Sequence, residues 1–212
     1  MAVIKPHRSP LSTSFEQQRD QQEQAMATTR LLGPTAEPCT VDELKSYLRV
    51  THDAEDALIA SLIAAARAQV ETTTRRVLLS QQWRLTLDQW PDQRRILCRL
   101  GPLRAVLAAR VFDHAGAAQE LDVTGFVVDR AADRIVTPPV LPQPGRACAG
   151  IEIDCELGFG SDPASVPEPL RQAVRSLAAH WYDQRGVIAE GSAAPLPAGL
   201  ATLLGSARGL SL

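Results

Sequence analysis

Along this chain the spacing of apolar residues switches from a helical period to a strand period and back, and the switches divide it into parts. In residues 167–185, Leu170, Val174, Leu177 and Trp181 recur at steps of four, three and four. That places them on one side of a 3.6-residue helix roughly 30 Å long. Pro167 and Pro169 fall in its first turn, where backbone N–H groups have no helical partner, and Gly186 ends it. Residues 40–49 predict a shorter helix with Val41, Leu44, Tyr47 and Leu48 on one face, Thr40 as N-cap and Glu43 at capping-box spacing. A third helix, over 54–76, carries Leu58, Ile59, Leu62, Ile63, Ala66 and Val70 in a broad stripe. Asp53 and Asp56 suit its start, and Arg75 and Arg76 its end. Arg67 and Glu71, four apart, predict an exposed ion pair worth tenths of a kcal/mol.

From residue 82 the period becomes two. Trp83, Leu85 and Leu87 alternate with Arg84, Thr86 and Asp88, the pattern of a half-buried strand. Further strands are predicted at 95–100, 105–113, 119–123, 126–129, 134–136 and 150–157, with turns at His114-Ala115-Gly116 and at 130–133. Pro138, Pro139, Pro142, Pro144 and Gly145 make a loop that cannot join a sheet ladder. The expected fold is α+β: a small bundle of three main helices, an inserted antiparallel sheet domain, and extended arms at both ends. Its parts are an arm at 1–36, helices within 37–81, the β domain at 82–158, the long helix within 159–186 and a C-terminal arm at 187–212.

The two arms differ in character. Residues 1–36 hold Gln17, Gln18, Gln21, Gln22 and Gln24 and prolines at 6, 10 and 34, too polar to fold unaided, so a partner is needed to order them. Met26, followed by Ala27, offers a second start of translation. In the C-terminal arm Leu200, Leu203, Leu204 and Ala207 can form one apolar stripe, to be completed by a partner surface or by the arm's own domain.

Composition narrows the function. A formal net charge of −2 argues against a protein whose main task is gripping nucleic acid. Cys39, Cys98, Cys148 and Cys155 include no C-x-x-C pair and lie far from any His in sequence; buried free thiols are expected, and no metal or cofactor. The histidines at 7, 52, 114 and 180 are scattered, Gly158-Phe159-Gly160 lacks the rest of a phosphate loop, and there is no G-x-S-x-G. An enzyme is not expected. The apolar run at 57–66, interrupted by Ser61, is far short of the roughly 20 residues a bilayer needs, and the first residues lack a signal-peptide core. The chain is read as soluble, made in the cytoplasm and without a membrane partner. One charge pattern stands out. Glu152, Asp154 and Glu156 alternate with Ile151, Ile153, Cys155 and Leu157, so three carboxylates share one strand face. That face is either merely solvated or lines a space through which polyanionic DNA moves without sticking.

The order of these elements resembles the head-to-tail connector, or adaptor, family of long-tailed bacteriophages and phage-derived gene transfer agents. The likeness spans residues 40–186. It is carried first by Leu44, Lys45, Leu48, Arg49, Asp56, Ala65, Ala66, Val70, Glu71 and Arg76, then by Trp83, Leu85, Trp90, Pro91, Gly101, Pro102 and Leu103, and finally by Pro167, Leu170, Ala173, Trp181 and Tyr182. The resemblance implies a structural protein that forms a ring with copies of itself, commonly a dodecamer, beneath the portal protein. It would carry a stopper or tail-terminator protein below and let double-stranded DNA pass, without a cofactor. Its place would be the bacterial cytoplasm during assembly, then the neck of the virion or gene transfer agent particle. The C-terminal arm, with Leu196, Leu200, Leu203, Leu204 and Arg208, would reach the portal, although Gly205-Ser206 departs from the family pattern. Glu152, Asp154 and Glu156 are the channel-lining candidates. Because a ring joins two different faces of each subunit, Arg171 and Arg175 on one side and Asp53, Glu55 and Asp56 on another are the inter-subunit candidates. A DNA-packaging ring protein, such as a small terminase subunit, is the alternative; the lack of a basic recognition helix argues against it.

Overall fold

The computed structural model describes residues 26–184 of the chain. Eight strands and three α-helices make two packed units: β1 (Met26–Leu32), α1 (Val41–Leu48), α2 (Asp56–Thr74), β2 (Gln81–Leu87), β3 (Arg95–Leu97), β4 (Leu103–Phe112), β5 (Ala118–Leu121), β6 (Val127–Asp129), β7 (Arg134–Val136), β8 (Ile151–Leu157) and α3 (Glu168–Asp183). The fold is α+β, with a five-stranded antiparallel sheet in the order β1-β2-β8-β4-β5 and a three-stranded one in the order β3-β7-β6.

The helical unit is held by the stripes read from the sequence. Ile59, Ile63, Ala66 and Val70 of α2 meet Leu170, Ala173, Val174, Leu177 and Ala178 of α3 in one buried cluster, joined by Leu44 of α1. The alanines let the helices approach closely. Thr40 caps α1 as its sequence predicts: its Oγ1 accepts the Glu43 N–H at 3.1 Å, and Glu43 Oε2 accepts the Thr40 N–H at 2.8 Å. Trp181 and Tyr182 pack partly buried against this helical core.

A second cluster fills the β unit, with Leu85, Leu87, Leu103, Ala109, Val111, Ile135, Ile151, Ile153 and Leu157 among its members. The segment between α2 and β2 ties the two cores together, since Leu78 and Leu79 enter the helical cluster while Val77 enters the other. Its backbone bonds to both neighbouring segments: Val77 N–H donates to Gly101 O at 2.6 Å, Phe159 N–H to Leu78 O at 3.2 Å and Ser80 N–H to Gly160 O at 2.8 Å. Gly158 makes this crossing possible. It has φ of +119°, and a Cβ there would run into the Leu79 carbonyl.

Four local expectations change. Residues 26–32, placed in an irregular arm extending to residue 36, form β1, because pairing with β2 uses backbone groups and needs no apolar side chains. Asp56 does stand in the first turn of α2, but neither it nor Asp53 supplies the cap, since the N-cap is Glu55 without a side-chain cap bond; both carboxylates pair with Lys45 of α1. Arg67 is buried, not exposed, and its guanidinium joins Glu71 at 2.8 Å and Glu37 at 2.7 Å. Cys39, Cys98 and Cys155 are buried free thiols, whereas Cys148 is exposed. Burial pushes the Cys39 thiol up to about 11 and Cys98 up to about 12.

Candidate functional site

β8 is the middle strand of the five-stranded sheet, so its alternation has consequences on both faces. Ile151, Ile153, Cys155 and Leu157 point into the core, and Glu152, Asp154 and Glu156 share the opposite face. The neighbouring strands meet each acid with an arginine. Arg84 of β2 lies directly across from Asp154 and donates to it through Nε at 2.7 Å and through an Nη at 3.0 Å, a two-point clamp. Its other Nη lies 2.9 Å from Glu152. From the other side Arg110 of β4 reaches Asp154 at 2.9 Å and Glu120 of β5 at 2.6 Å. Arg104 lies 3.3 Å from Glu156, which also accepts the Ser80 hydroxyl at 2.9 Å.

This face is a laced row of four carboxylates and three guanidiniums running across β2, β8, β4 and β5. The sequence displayed the acids in one strand; the arginines that neutralise them come from two others. Arg84 was visible on the polar phase of its strand. Arg110 was not, because bulges in β4 between Leu103 and Ala105 and between Val106 and Ala108 break its alternation.

Asp154 is the hub, buried to 7% exposure. The hydrogen bonds from Arg84, with further help from Arg110, hold its carboxyl below the usual carboxylate range against the opposing effect of burial. A lowered folded-state value means that its contribution to stability is complete above the ordinary aspartate value of about 4 and fades as pH falls through the lowered one. The stability gap between wild type and Asp154→Asn is therefore expected to be largest near pH 7 and to shrink on acidification. Urea midpoints at pH 7 and near pH 3.5 measure it, and a gap that grew in acid would contradict the assignment.

The helical candidates are engaged within the subunit as well. Arg171 donates to Pro38 O at 3.2 Å and pairs with Glu43 and Glu168, each at 3.2 Å; Arg175 pairs with Glu168 at 2.7 Å. Asp53 and Asp56 hold Lys45, and the Tyr182 hydroxyl donates to Glu55. Glu43 and Lys45 are two residues apart on α1, about 200° around a helix. The Arg171 side and the Asp53 side are accordingly different flanks of α1. Leu196, Leu200, Leu203, Leu204 and Arg208 lie outside the described residues.

Two open depressions flank the proline-rich loop, one lined by Asp88, Gln89, Gln143, Pro144, Arg146 and Ala147, the other by residues around Trp90 and Thr137. Among the described residues no group of three or more His, Cys, Asp or Glu is placed to hold a metal, and no helix is long and apolar enough to cross a membrane.

The described residues thus form a helical body joined to an antiparallel sheet, with many of their charges paired within the subunit. Residues 38–107 match the family of phage gp6-like head-tail connector proteins. Solved structures agree over a longer span. A chain in the neck of an empty gene transfer agent particle, computed with C6 symmetry, is 30% identical; the match covers 88% of this chain and 97% of that one, with a TM-score of 0.69. A chain in the virion of the native particle is also 30% identical, over 87% of this chain and 96% of that one, with a TM-score of 0.70. A third, from the neck of the native particle computed with C12 symmetry, gives 30% identity, 88% and 97% coverage and a TM-score of 0.64. No curated protein matches the sequence. The chain belongs to the phage gp6-like head-tail connector family.

Proposed function

We propose that this chain assembles head to tail into the connector ring between the portal at the capsid vertex and the stopper or tail-terminator protein, and that DNA passes through that ring. The reading is carried by the match, over nearly the full length of both chains, to a neck subunit of a particle computed with twelvefold symmetry. We read the ring as a dodecamer, a copy number that the twelvefold symmetry of that neck supports, put together in the bacterial cytoplasm and then held in the neck of the finished particle. The role is structural, not enzymatic.

Within this ring the laced face of β2, β8, β4 and β5 is the surface proposed to border the channel. Its acids are matched by arginines at hydrogen-bond range, so it offers neither a strong positive field to hold phosphate nor a bare negative one to oppose it. The two flanks of α1, one with Arg171 and Arg175 and the other with Asp53, Glu55 and Asp56, are proposed to lie toward opposite neighbours. Leu196, Leu200, Leu203, Leu204 and Arg208 supply the arm for the portal.

Electron microscopy of the full chain mixed with its own portal protein tests this. The expected result is a ring seated on one end of the portal, lost when residues 187–212 are removed. Absence of any complex, together with salt-sensitive DNA binding by the monomer, would replace this reading with that of a DNA-packaging ring protein.

A further inference from the structure

Among the described residues, β1 is attached to the subunit chiefly by its backbone. It pairs with β2 from Met26 opposite Leu87 to Leu32 opposite Gln82. Yet Ala27, Thr28, Thr29, Arg30, Leu31 and Leu32 are all exposed. Thr28 and Arg30 stand opposite Leu85 and Trp83 and thus on the core side of the sheet, but the core stops at β2, where Leu85 is fully buried. Leu31 and Leu32 are 43% and 54% exposed.

Among the described residues β1 is also an edge strand, with β2 as its one strand neighbour in the sheet. An uncovered edge presents unpaired N–H and C=O groups, and proteins usually blunt it with charge, proline, a bulge or short length. β1 has seven residues, a single charge at Arg30, no proline, and an irregularity confined to its Arg30–Leu32 end. Such an edge, finished by two exposed leucines, has the make-up of a contact surface awaiting its other half.

We propose that β1 is a docking strand between subunits, its outer edge and the Leu31-Leu32 pair being covered by the next copy of this chain around the ring. The occupant follows from symmetry. A closed ring needs two unlike patches on each subunit, and β1 and β5 end the sheet on opposite sides, so the β1 patch is distinct from whatever the β5 side presents. It also follows from the strand's own economy: residues 27–32 are all exposed, so that Leu31 and Leu32 are left for a neighbour. The inference rests on the ring reading of the preceding section.

Hydrogen exchange on the full-length wild-type protein, compared between dilute free chain and assembled necks, provides the test. Amides of residues 26–32 are expected to exchange at least about tenfold more slowly after assembly. Equal rates in the two states, whether from an uncovered strand or from one already covered by the chain's own arms, would overturn the proposal. A Leu31→Lys, Leu32→Lys variant supplies the second arm. It should melt as wild type does, because both residues are exposed, yet yield few or no rings by mass photometry of neck complexes. Normal ring yield from the variant would overturn docking through β1 and leave the ring itself standing. Micrographs of wild-type necks in which the chain forms no ring would instead overturn the underlying reading, and this one with it.

Discussion

Replacing Arg67 with alanine is expected to lower the stability of the subunit by about 3–5 kcal/mol, read as the change in unfolding free energy from urea titration. Arg67 is buried on α2 between Glu37, which precedes α1, and Glu71 one turn further along. Glu71 is itself a junction residue, since its Oε1 accepts the Leu78 N–H at 2.9 Å and the Gln81 Nε2 at 2.8 Å. Removing the guanidinium leaves a largely buried carboxylate without its cation, the costly way to break such a cluster. Burial already raises the Glu71 carboxyl above the usual range. Arg67 counters that rise, so its loss should lift the Glu71 value further; the folded variant then binds protons more readily than the folded wild type, and its deficit should diminish as pH is lowered from 7. Arg67→Lys keeps the charge but loses the fork that serves two acids, and should fall between wild type and alanine. A loss below about 1 kcal/mol for Arg67→Ala would reduce the cluster to the level of a surface pair.

The second large effect is expected at the centre of the helical core. Leu177 is fully buried on α3 within the cluster that α3 forms with α2. Leu177→Ala should lose about 2–5 kcal/mol through the cavity it leaves, the spread reflecting how far its neighbours can close in. Leu58, on the same stripe of α2 by sequence but 36% exposed, provides the control. Leu58→Ala should cost much less than its buried counterpart. Thermal melting of the three proteins under one buffer condition decides it. Similar losses from both substitutions would show that α3 is not the spine of the subunit.

Helix and strand periods were legible in the residues because local geometry imposes them. Leu170, Val174 and Leu177 share a face of α3 whatever they pack against, and Thr40 with Glu43 forms its capping box within four residues. The three carboxylates of β8 share a face for the same reason. The sequence by itself also carried the family resemblance, through the order of its elements.

Partnership across the fold was not legible, because ion pairs join residues that are distant along the chain and whose meeting depends on register and packing. The acids of β8 stood alone in the sequence; sheet order alone brought Arg84 and Arg110 to Asp154 from both sides. Asp53 and Asp56 look like helix caps when only their own helix is considered, and become the partners of Lys45 once α1 is laid against α2. Arg67 looks like one half of a surface pair until the segment before α1 covers it with Glu37. β1 shows the limit most plainly. Nothing in residues 26–32 marks a buried strand, and none of their side chains described here is buried; the strand exists because β2 offers a free row of backbone groups, a property of the assembled sheet that no window of sequence contains.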